Sequence, residues 1–187
     1  MEQMLNLNDL LQHEIEDLYS AEEQIIAALP KMVEQVTNPS LKKALQDHLE
    51  ITKEQKSRLD KIKEQLKSDE DAPKKGLMEK IFGSTKCKGM EGLIKEGEHL
   101  MKQDMEPAVK DAAIIASAQK IEHYEICGYG TARAYAMQLG LTKVEALLTE
   151  TLNEEYDADD SLTALAFFDV NLDAEHPVAE QERTRTR

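Results

Sequence analysis

Four stretches of this sequence carry an apolar side chain every three or four residues, and each run breaks near its middle at an acidic or imidazole residue. That period dictates amphipathic helices, and helices of this kind bury their stripes most simply against one another. The breaks fall at Glu22 in the first stretch, His48 in the second, Glu122 and Glu125 in the third, and Glu155 and Asp159 in the fourth. An ionised carboxylate inside a bundle costs on the order of several kcal/mol unless it is paired or binds a cation. Several of them converging on one core predict a metal site.

The boundaries follow from local signals. Asn8 opens the first stretch, and Leu11, Ile15, Leu18, Ile25, Leu29, Met32 and Val36 carry it from residue 8 to about 37. Thr37-Asn38-Pro39-Ser40 then stops one helix and caps the next, which runs through Leu41, Leu45, Leu49, Leu59, Ile62 and Leu66. So short a connection forces antiparallel neighbours. Residues 68–106 break the pattern: a polar loop from Ser68 to Pro73 is followed by Gly76, Gly83, Gly89, Gly92 and Gly97, with a short amphipathic helix around Met90, Leu93, Ile94 and Leu100. The third long helix begins near Pro107 and stops at Leu139-Gly140, and the fourth begins near Thr142. Two antiparallel pairs joined by a long crossover make an all-α, ferritin-like four-helix bundle over residues 1–170, with a poorly ordered charged tail over 171–187.

Composition narrows the function. The 187 residues are 41% hydrophobic and only 4% aromatic, with no Trp, which favours helices and allows a sizeable core. Net charge is −14, and no basic stripe offers a phosphate-binding face, so nucleic acid is not an expected partner. No apolar run reaches the roughly 18 residues of a membrane span, and the N-terminus lacks a secretory signal. The two cysteines do not make a disulfide framework. Cys127 is expected as a small core residue and Cys87 as an exposed thiol. A cytoplasmic address is the expectation.

Residue heights within each pair test whether the breaks meet. Around the first turn Glu22 lies level with Gln55, with Thr52 one turn along. Around the second, Glu125 falls beside Glu155 and Glu122 beside Asp159, with no Lys or Arg expected on those inward lines. An i, i+3 or i, i+4 spacing sets two ligands roughly 5 Å apart along the axis. That suits two cations about 3.5–4 Å apart under bridging carboxylates. The alternative is a proton-sharing acid cluster, since like charges this close cannot all ionise without a cation. His48 stands about two turns from Glu22, so a core histidine and a ligand are both open readings. Glu14 and Asp17 are expected at the core edge, and Tyr19, Tyr124 and Tyr129 in ordinary packing.

The segments Asp17–Glu22 (DLYSAE), His48–Thr52 (HLEIT), Met90–Ile94 (MEGLI), Asp111–Ile126 (DAAIIASAQKIEHYEI) and Glu150–Glu155 (ETLNEE) resemble the YciF-like family of bacterial stress proteins, within the rubrerythrin and ferritin-like superfamily. The likeness covers about residues 5 to 170. It implies a rubrerythrin-like bundle, a homodimer, a stress role and a dinuclear iron or manganese site, while chemistry on peroxide, dioxygen or ferrous iron is the expectation from oxygen-rich ligation. Glu22, Glu122, Glu125 and Glu155 keep the rubrerythrin carboxylates, whereas Thr52 and Gln55 replace its Glu-x-x-His and Asp159 stands near one of its histidines. No rubredoxin-like Cys cluster is present. A non-catalytic metal-binding or scaffold bundle is the competing expectation.

Overall fold

The structure, a computed structural model, describes residues 4–68 and 86–175. Helix α1 (Leu7–Gln35) starts two positions earlier than Asn8 suggests, because Asn6 is the cap. The Asn6 side chain accepts the Asp9 N–H at 3.0 Å while Asp9 accepts the Leu5 N–H at 2.8 Å, a reciprocal closure of the first turn. Helix α2 (Pro39–Ser68) begins with Pro39 in its first turn, and Asn38 accepts from the Ser40 and Leu41 amides. Between them, the chain turns on a distant residue. Asp111 accepts hydrogen bonds from Thr37 N (2.9 Å), Thr37 Oγ1 (2.6 Å) and Asn38 N (2.8 Å).

Helix α3 (Lys88–Met101) is the short amphipathic helix of the crossover, and α4 (Pro107–Gln138) and α5 (Thr142–Leu165) are the second long pair. Gly140, at φ 71°, ends α4. Leu141 N donates to Ala136 O at 2.9 Å and Gly140 N to Met137 O at 3.1 Å, which satisfies the last carbonyls. Beyond α5 a π-turn (Ala166–Val170) leads into a short helix, α6 (Asn171–Glu175), that buries no side chain. The expected loop at 69–73, Gly76, Gly83 and the tail beyond Glu175 lie outside the described residues. Among the described residues there is no strand.

In the bundle α1 packs on α2, α4 on α5, α1 on α4 and α2 on α5, while α3 lies across α1 and α4. This covers the apolar side of α3 within the chain. Met90 is fully buried, and Leu93 and Ile94 pack on the core. The fit at Gly89 is close: a Cβ there would lie 2.7 Å from Tyr124 Cε2. The two cysteines exchange their expected places. Cys87 caps α3 and is 1% exposed, whereas Cys127 is exposed. Two residues along a helix is about 200°, so inward Glu125 turns Cys127 out.

The core is split. One apolar cluster holds Ile25, Leu29, Leu45, Ile114, Ile121 and Leu162; the other holds Ile15, Leu18, Leu59, Tyr129, Leu148 and Leu152. On each long helix the change from one cluster to the other falls at a polar stretch: Glu22 on α1, His48 to Gln55 on α2, Glu122 and Glu125 on α4, Glu155 on α5. A buried polar layer therefore crosses the bundle at mid-height.

Candidate metal centre

The layer is built by helical periodicity, which aims one or two polar side chains per helix along the stripe that leucines occupy above and below. His48, Glu122, Glu125 and Glu155 converge so that one ligand atom from each lies within 4.8 Å of all the others, and all are buried. His48 Nε2 stands 3.3 Å from Glu122 Oε1. Glu22, fully buried, adjoins them and accepts a short hydrogen bond from the Tyr129 hydroxyl.

Asp159 stands beside the layer and is not among the four whose ligand atoms converge. It lies half-buried at the edge, accepting from Gln119 Nε2 at 3.0 Å and facing His123 Nε2 at 3.3 Å. Its charge still reaches Glu122, as the within-pair heights imply, but the fourth ligand atom of the convergence is His48, which α2 brings in from the other hairpin. Thr52 is spent on its own helix, donating to His48 O at 2.8 Å. Gln55 donates to Glu154 at 3.1 Å.

A cation from the other hairpin nevertheless stands near the layer. Arg58, 8% exposed, reaches across from α2. Its guanidinium is committed to Glu154 in a two-pronged pair, 2.6 Å at each nitrogen, with Glu150 at 3.0 Å and Thr151 at 3.2 Å. Its field lowers the Glu22 proton affinity only against larger opposing effects. Period alone does not reveal Arg58, because its long side chain leaves the line of its own Cα.

Electrostatics follow. Burial, then the charge of Glu155, holds the Glu22 carboxyl well above its usual range. Burial does the same for Glu125, with Glu155, Glu22 and Glu122 adding repulsion. It does so too for Glu155, with Glu122 the next contributor. Glu122 is pushed up to about 8, chiefly by burial. Burial lowers His48 to about 4, so the ring is neutral at pH 7 and able to donate a lone pair. Several buried atoms have no hydrogen-bond partner: Glu22 Oε2, Glu122 Oε2, Glu125 Oε1, both Glu155 oxygens and His48 Nδ1. Orphaned acceptors at such density are rare in a folded core. Carboxylates with one neutral imidazole are the donor set of a hard or borderline divalent ion, so the residues present fit iron or manganese.

A second polar knot adjoins the layer and was not legible in the sequence. Tyr124 donates to Asp17 at 2.6 Å, and Cys87 Sγ lies 3.0 Å from both Asp17 and the Tyr124 hydroxyl. Cys87 N donates to Ser20 Oγ at 2.9 Å and Gln24 donates to Cys87 O at 3.0 Å, so this knot pins α3 to α1 and α4. Tyr19 instead lies between the ammonium groups of Lys56 and Lys63, 4.7 and 4.0 Å from its ring centre.

Comparison with known proteins extends this picture. Protein YciF of Escherichia coli is 41% identical over 173 residues, covering 92% of this chain and 98% of that protein. The crystal structure of the E. coli stress protein YciF superposes with a TM-score of 0.79 at 40% identity, covering 90% of this chain and 99% of that one. YcfI of Rhodopseudomonas palustris gives 0.78 at 39%, covering 89% and 98%. A Xanthomonas campestris protein shares the fold alone, with a TM-score of 0.64 at 17% identity over 96% and 99%. The sequence profile of the domain of unknown function DUF892 matches residues 6–175, and the chain belongs to that family.

Proposed function

We propose that the chain is a ferritin-like four-helix stress protein whose buried layer binds a dinuclear iron or manganese centre. The observation that carries this reading is the convergence of His48, Glu122, Glu125 and Glu155 within 4.8 Å, with acceptor atoms that no protein donor satisfies. His48, Glu122, Glu125 and Glu155, with Glu22 beside them, would hold the ions. When bound, such a centre supplies one-electron chemistry toward peroxide, dioxygen or ferrous iron. The chain's own part is to hold His48 neutral, to exclude bulk water with two apolar clusters, and to orient Glu22 through Tyr129. The stress role rests on the YciF relative. A homodimer fits the exposed Phe167, Phe168 and Leu172 beside the π-turn, and light scattering giving one chain's mass refutes it. Asp159 is the least supported of the six ligands, since it faces Gln119 and His123.

One observation favours a second reading, a metal-free scaffold. Raised carboxyl affinities let neutral acids share protons without an ion. Elemental analysis of chelator-free protein after anaerobic Fe2+ or Mn2+ reconstitution separates the two. One or two ions per chain supports the metal centre, and a trace amount establishes the scaffold.

A further inference from the structure

The two seams where the hairpins face each other are unlike. On the α1/α4 side, α3 lays Leu93 and Ile94 into the gap, and the space left beside Met32 and Ile121 is about 10 Å3. That is about the room of a single water at most, for which roughly 10–15 Å3 is needed. Across the molecule, the α2/α5 seam holds a cleft of about 300 Å3 that opens to the surface. Its floor is His48 and Glu122, and its rim carries exposed Asp47 and Asp157. Small side chains hold it open: Ala44 on α2, with Ala158 and Ser161 on α5.

The chemistry of the cleft points to one class of traveller. No Lys or Arg is among its lining residues, which include the acids Asp47, Glu122, Glu154 and Asp157. Glu154 is matched by Arg58, and Asp47 has a surface pair with Lys43. At the floor, His48 Nδ1 and Glu122 Oε2 have no hydrogen-bond partner, although the residues are only 8% and 2% exposed. A divalent ion with six waters needs about 180 Å3 at ~30 Å3 per water. The α2/α5 cleft admits it and the α1/α4 seam does not. With Glu154 and Asp47 matched, exposed Asp157 gives the mouth its net negative charge, which attracts cations and repels anions.

We propose that the α2/α5 seam is the port by which a hydrated divalent cation reaches and leaves the buried layer, an inference that rests on the metal-centre reading. The test mixes the metal-stripped chain with Co2+ in a stopped-flow instrument, following visible absorption, and then chases the loaded protein with EDTA. Ala158→Leu fills the seam without removing a ligand. It is expected to leave equilibrium stoichiometry unchanged and to slow association and release by roughly tenfold or more, because a close-packed interior passes no hydrated ion. Asp157→Asn, at the exposed rim, is expected to slow association about two- to threefold at low salt, with the difference vanishing at high salt. If Ala158→Leu does not fold, Ala44→Leu blocks the opposite wall. Native rates in the filled variants, with metal bound as before, overturn the port and leave the metal centre standing. No Co2+ bound by the unaltered chain overturns the metal centre, and the port with it.

Discussion

Asp111 and Glu125 stand on one helix, fourteen residues or almost four turns apart, and are 2% and 1% exposed. They meet opposite surroundings. Asp111 receives two amides and a hydroxyl from the α1–α2 turn. Glu125 Oε1 receives nothing, and its neighbours are further carboxyls. Burial of an acid is therefore not itself a mark of function. A carboxylate supplied with donors is a structural anchor, whereas one packed against like charges must keep its proton or take a cation.

The strongest way to break this contrast is at the anchor. Asp111→Ala strands the Thr37 and Asn38 amides at the α1–α2 turn, and we expect a loss of about 3 kcal/mol, since hydrogen bonds to a charged group carry more than neutral ones. Urea unfolding measures it. A loss below about 1 kcal/mol, the worth of a single neutral bond, would show that Asp111 is no anchor.

Glu125→Gln should behave in the opposite way. Removing one repelling acid should leave the metal-free bundle as stable or more so, by about 1–3 kcal/mol at neutral pH, while metal binding weakens. Melting curves with and without Mn2+ decide it. A variant that loses stability and keeps its metal makes Glu125 a second Asp111.

The pH dependence of the metal-free protein sharpens the same point. Glu122 is raised from 4.5 to about 8, and Glu22, Glu125 and Glu155 are also raised. The native state thus keeps protons that the unfolded chain releases, and stability from these groups declines as pH rises from 4.5 toward 8. His48, lowered from 6.5 to about 4, acts in reverse: it costs stability as pH falls below 6.5. Between pH 6.5 and 8 the carboxyls act alone, and each retained proton contributes about 1.4 kcal/mol per pH unit of decline. Denaturant titrations in chelator should follow that slope. A flat profile would mean that the layer is already ionised.

The smallest effect is expected at the well-partnered knot. Tyr124→Phe leaves Asp17 only the Cys87 thiol, at a cost of about 1 kcal/mol. Thermal unfolding detects it, and a gain in stability would place Asp17 with the repelling acids.

The helices were legible because a 3.6-residue apolar period has one economical solution, and because Pro39, Pro107 and Gly140 carry their boundaries in their own backbone chemistry. Within each hairpin the short turn ties residue heights to numbers, so the convergence of Glu125 with Glu155 follows from the chain itself. The burial of Cys87 and the reach of Arg58 did not, since each depends on a partner from another helix that periodicity does not name.

What the sequence by itself determined is a bundle of four long helices with acids and one imidazole at mid-stripe. Which of those acids meet was decided by how one hairpin settles on the other, set by α3 lying across α1 and α4 and by Asp111 gripping a turn 73 or 74 residues away. That offset brought His48 in and left Asp159 at the edge. Local energetics constrain neighbours along a helix, but packing between hairpins is a sum over many distant side chains, and only the folded core adds it up.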